Sequence, residues 1–106
     1  MPDFSQARNT LTKRILEGAG RASFSERRAA FDNSGLAEPV STLIDKVARH
    51  AWRIADEDIA AAKASGLSED QVFEIVVCAA VGQANRQYES ALAALNAASD
   101  VAPGKE

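Results

Sequence analysis

The 106-residue chain has a single cysteine, Cys78. An internal disulfide is therefore excluded, and with it the small stapled secreted scaffold. Aromatic residues make up only 6%, with 3 prolines and 6 glycines. β-branched residues are thinly spread while alanine is plentiful, a balance that favours helices over sheets. No apolar run approaches the roughly 20 residues needed to span a bilayer, so no membrane partner is expected. A concentrated basic excess is missing too: the net charge is −3, which argues against a dedicated nucleic-acid binder. The opening Met1-Pro2-Asp3-Phe4-Ser5 has neither the basic nor the apolar region of a signal peptide, which predicts a cytoplasmic protein.

What is present suffices for a core. Hydrophobic residues are 46% and charged residues 25%, close to a globular average. The length suits one domain. The expectation is a compact all-α bundle of about five helices over residues 1–98. A frayed tail is expected at 99–106, where Ser99-Asp100-Val101-Ala102-Pro103 lacks periodicity. The charge is uneven. Residues 1–53 carry 9 basic and 6 acidic side chains, net +3, and residues 54–106 carry 3 and 9, net −6. Such halves either attract one another, within or between chains, or are simply solvated surface.

Apolar spacing predicts a first helix over 5–17, where Ala7, Leu11 and Ile15 recur every fourth residue beside Leu16, ended by Gly18 and Gly20. A second runs over about 25–33, with Gly35 as its left-handed terminator. A third opens at Pro39. Val40, Leu43, Ile44, Val47, Ala51 and Ile54 share one of its faces, and Asp45 can pair with Arg49 across one turn. Asp56, Glu57 and Asp58 suit the start of a fourth helix ending at Gly66, with or without a break from the third. Ser68 and Gln71 form a capping box, flanked by Leu67 and Val72, for a long fifth helix reaching about residue 97. Its segment 72–81 is apolar nearly all round, the pattern of a helix buried centrally or covered by another subunit. Val77, Ala80, Val81, Gly82, Asn85 and Arg86 are the expected subunit contact. Gly82, costly inside a helix, is explained there by close packing against a neighbour.

Candidate chemistry is sparse. The turn Gly66-Leu67-Ser68 has helix-turn-helix spacing, but Glu69 and Asp70 follow it, and carboxylates oppose phosphate. Cys78 reads as a buried small hydrophobe rather than a reactive thiol. His50 has no second histidine or cysteine near it, so no metal site is expected; His50 and Trp52 fall on different sides of a helix. Glu74 lies one turn into an apolar helix. It either faces inward, where burial raises its pKa and suits it to proton relay, or occupies the one solvated strip. Glu74, His50 and Asp58 are the catalytic candidates. No phosphate loop, catalytic triad or cofactor motif is present.

The string Gly66-Leu67-Ser68-Glu69-Asp70-Gln71-Val72-Phe73-Glu74-Ile75-Val76-Val77, followed by Ala79-Ala80-Val81-Gly82 and the pair Asn85-Arg86, resembles the alkyl hydroperoxidase D-like and carboxymuconolactone decarboxylase superfamily. The segment from Leu43 through Ile59 is similar to small members of that group, so the resemblance covers roughly residues 39–95. It implies an all-α, homo-oligomeric bundle. Peroxidase members carry Cys-x-x-Cys-x-x-x-His on the helix before Gly-Leu-Ser. Counted back from Gly66, the cysteine slots fall on Ala51 and Ile54 and the histidine slot on Asp58. Neither Ala nor Ile forms a thiolate, so thiol peroxidase activity is not expected. Two functions follow from the resemblance: an oligomeric binding or regulatory module with a possible small-molecule ligand, or an acid–base enzyme of the decarboxylase type acting on a small organic substrate.

Overall fold

The structure, a computed structural model, describes residues 4–101 and the side chains of residues 4–99. It is helical throughout, with no strand among the described residues. The order is α1 Ser5–Glu17, α2 Phe24–Asp32, α3 Val40–Arg49, a 3₁₀ turn Ala51–Arg53, α4 Asp56–Ala64 and α5 Glu69–Val101. None of these helices is long and apolar enough to cross a membrane.

Local chemistry sets most of the boundaries. The α5 capping box forms as its residues dictate: the Gln71 amide donates to Ser68 Oγ at 3.1 Å, and the Ser68 amide donates to Gln71 Oε1 at 2.7 Å. A second box, Ser23 with Glu26, opens α2. The left-handed residue ending α2 is Asn33, at φ 53°, rather than the expected Gly35 further on. Arg49 pairs with Asp45 at 2.9 Å along α3.

α3 is shorter than its expected apolar face, and a break does separate it from α4. Its apolar period runs on through Ala51 and Ile54, but the helix ends at Arg49. His50 leaves the helical conformation, at φ −143° and ψ 52°, and the chain makes a 3₁₀ turn before α4. Asp58 accounts for the restart. Its carboxylate accepts the Ala55 amide at 2.8 Å and the Lys46 ammonium at 2.9 Å, folding α4 back onto α3. Three acids in the first turn of α4 then meet the positive end of its dipole.

The core lies where α2, α3 and α4 pack on the first half of α5. Leu43, Ile44, Ile75 and Cys78 are fully enclosed, with Ala30, Phe31, Ala62, Val72 and Ala79 around them. Burying each large aliphatic side chain contributes about 1.5–3 kcal/mol. α1 is held more loosely: Leu16 is buried and Ile15 half-buried, but Leu11 is 51% exposed. α5 continues through Val101, past the expected start of the tail; residues 102–106 lie outside the described region. Thirty-three residues at 1.5 Å each give a rod of about 50 Å, and the molecule is accordingly 60 × 29 × 20 Å.

Candidate functional site

Glu74 is tied to the backbone. It reaches the loop between α1 and α2, where its carboxylate accepts the Arg21 amide at 2.9 Å and the Ala22 amide at 2.7 Å. The Arg27 guanidinium stands 3.9 Å away. Those amides, together with Arg27, hold the carboxyl below the usual glutamate range, and burial does not reverse this. The inward, proton-relay expectation for Glu74 is thereby corrected. A raised pKa needs burial without donors, and here the donors dominate.

Arg27, which belongs to no sequence motif, completes this site. It is 4% exposed and donates to the carbonyls of Ala22 at 3.0 Å and Gly18 at 2.5 Å. Gly20 lies directly against this pair. A Cβ there would sit 2.6 Å from Arg27 Nη2 and 2.8 Å from Glu74 Oε1. The sequence did hold a signal for Arg27: it lies three and four residues before the buried Ala30 and Phe31, on the same face of α2.

His50 lines a different region, which Asp58 reaches only through its bond to Lys46. A groove of about 470 Å³ runs along α3, walled by Glu38, Asp45, Lys46, Arg49, His50 and Arg53 among others. Most of its charge is already committed. Asp45 accepts from Asn33 and pairs with Arg49, Glu38 accepts from Thr42, and Lys46 is bound to Asp58. Hydrogen bonds from these partners lower the carboxyl pKa of each acid: Thr42 for Glu38, Asn33 for Asp45, and the Ala55 amide ahead of Lys46 for Asp58. The His50 and Trp52 rings, expected on different sides of one helix, meet edge to face at 5.2 Å because the 3₁₀ turn brings them together. Buried His50 Nδ1 has no hydrogen-bond partner among the described residues. No cluster of three or more metal-ligating side chains occurs among the described residues.

A pH dependence follows from these carboxylates. The folded chain binds their protons less readily than the unfolded chain does. Their contribution is therefore complete above the ordinary carboxylate pKa of about 4 and is lost as pH falls through the lowered folded values. Thermal midpoints are expected to hold steady from pH 7 to about 5 and then drop, with Glu74→Gln flattening part of that drop. A midpoint that rises on acidification contradicts the arrangement.

The expected subunit-contact residues divide into two sets. Gly82 faces α2 of its own chain. A Cβ there would overlap the Phe31 carbonyl oxygen and stand 2.9 Å from Phe31 Cα. Arg86 donates to that same carbonyl at 2.7 Å and to Gln83 at 2.9 Å, capping the end of α2. An internal neighbour, Phe31, is what each of them meets within the chain. Asn85 accepts from Arg8 of α1 at 2.5 Å. Val77, Ala80 and Val81 instead lie on the uncovered side of α5, half-buried or exposed.

That side is apolar. A pocket of about 340 Å³ between α1 and α5 is lined by Arg8, Leu11, Val81, Ala84, Asn85 and Tyr88. Arg8 forms its head, 4.6 Å over the Tyr88 ring and 3.3 Å from Glu89. Phe73 at 68%, Leu11 at 51% and Leu95 at 49% are exposed with it. Cys78, by contrast, is 1% exposed, points its thiol at the Ile15 carbonyl at 3.7 Å, and has its pKa pushed up by burial. Compared with known proteins, the chain matches no family model, no curated protein and no solved structure.

Proposed function

We propose that this chain is a homo-oligomeric helical binding module, laid out like the alkyl hydroperoxidase D-like superfamily but without its thiol chemistry. One observation carries the reading: a continuous apolar face on α1 and α5 is left open by a single copy. Exposed apolar surface of this kind marks an interaction site. The residues that could otherwise do chemistry are committed to holding the fold, Glu74 on the α1–α2 loop and Asp58 on Lys46. The superfamily's cysteine slots hold Ala51 and Ile54, and Cys78 is enclosed.

The test is the mass in solution together with peroxide turnover. Light scattering is expected to give a multiple of 11.2 kDa, with no turnover of organic peroxides and no reaction of native Cys78 with a thiol reagent. A monomer at all concentrations overturns the oligomeric reading; turnover abolished by Cys78→Ser overturns the rest.

A second reading, an acid–base enzyme for a small organic substrate, is favoured by the unpartnered His50 Nδ1 at the α3 groove. It predicts that small organic acids perturb the His50 ring resonances in a titration followed by NMR. Unchanged resonances at millimolar ligand argue against it.

A further inference from the structure

The apolar face has a definite shape. On α5 the residues Phe73, Val77, Ala80, Ala84, Tyr88, Ala91 and Leu95 follow one another at intervals of three or four, one stripe at helical spacing. From first to last the stripe spans about 33 Å. Its two ends differ. Beside α1 the exposed or half-buried residues are small, Ala80, Val81 and Ala84, and the last two floor the pocket under Leu11. In the half of α5 that projects beyond the bundle they include Leu92 and Leu95. That projecting half is exposed at nearly every position from Tyr88 to Ser99. Most of a helix's stability in a protein comes from packing an apolar face, and this half of α5 leaves Leu92 and Leu95 with little to pack on.

We infer that what covers them is a second copy of this chain, with the two α5 helices antiparallel about a two-fold axis near Tyr88. This deepens the oligomeric reading above and rests on it. With that axis, Leu95 of one copy faces Val81 of the other and Leu92 faces Ala84, so large side chains enter the pocket floored by small ones. A parallel pair would set large against large and small against small. The contact is isologous, each copy giving its projecting half and receiving the other's.

Charge agrees with this arrangement. Arg8 and Asn85, which α1 and α5 contribute to one another, show that the two helices run antiparallel in the chain, as does Ile15 beside Cys78. The partner's α5 therefore runs along α1. α1 carries Arg8, Lys13, Arg14 and Glu17, net +2, and the half of α5 that lies along it in the pair, from Tyr88 on, carries Glu89 and Asp100, net −2. The negative carboxyl end of the partner's α5 dipole approaches Lys13 and Arg14, both exposed and without an ion-pair partner among the described residues.

Spin labels on the full chain test the arrangement, one preparation labelled at Ser90 and one at Asn96, in a Cys78→Ala background, with Leu95→Glu and Ala84→Phe as dissociating variants. Antiparallel pairing predicts an axial separation between like labels of about 6 Å at Ser90 and about 24 Å at Asn96. Leu95→Glu and Ala84→Phe should each halve the mass while leaving the helical circular dichroism unchanged. Both sites are exposed in the single copy, so the fold does not depend on them. Equal separations at the two positions, or an oligomer indifferent to Leu95→Glu, would overturn the antiparallel pairing while leaving oligomerisation intact. A wild-type monomer would overturn both.

Discussion

Gly82→Ala is expected to destabilise the folded chain by about 2–3 kcal/mol, the upper part of the range for overpacking, although alanine is the better helix former. In an exposed helix interior the same change would gain about 1 kcal/mol. Here the new Cβ overlaps the Phe31 carbonyl oxygen and lands 2.7 Å from its carbon. These are backbone atoms at the end of α2, and no side-chain rotation relieves them. Either α2 or α5 must shift, and that shift also separates Arg86 from the carbonyl it caps. For a domain of this size, a loss of about 2–3 kcal/mol corresponds to a fall of roughly 15 °C in the thermal midpoint. Gly82→Leu should prevent folding rather than yield a folded lone subunit. A Gly82→Ala protein as stable as the parent contradicts the α2–α5 contact.

The second large effect is expected at Glu74. Glu74→Ala removes the acceptor for two loop amides and the carboxylate beside a guanidinium that is 4% exposed. Breaking one partner of a buried charge pair costs more than the pair itself is worth, because the remaining charge stays buried. The amide bonds are charge-assisted, each worth about 1.5–3 kcal/mol. A loss of about 3 kcal/mol is expected by urea denaturation. Glu74→Gln keeps one acceptor oxygen and should lose roughly half as much. Equal losses for both variants would show that the charge contributes nothing. The Arg27→Met change should resemble Glu74→Ala, and the double variant should cost less than the two singles together, since each already disrupts the same contact.

These two residues show what was legible in the chain and what was not. Caps and periods act over three or four residues, so Ser68 with Gln71 and the 5–17 stripe could be read directly. The need for something close to Gly82 was equally plain, because a mid-helix glycine demands a reason. What lay against it was not, since Phe31 is remote in the sequence and only the folded chain brings it there. Glu74 was ambiguous for the same reason: its partners, Arg21, Ala22 and Arg27, stand on the other side of the bundle's first turn. The end of α3 at Arg49 had no local mark. The apolar period continues into Ile54, and the break comes from Asp58 drawing α4 back onto Lys46, an interaction between two helices.

The open face of α1 and α5 was visible in outline as a segment too apolar for one small bundle. Its geometry was not, because one helix is buried at Ile75 and Cys78 on one face and bare at Phe73 and Leu95 on another. Amide hydrogen exchange of residues 88–99, followed over a dilution series, tests most directly whether a second copy covers it. Pairing predicts slow exchange at high concentration that is lost on dilution as the chains separate. Exchange within seconds at every concentration would mean that the helix stands bare, and would contradict it.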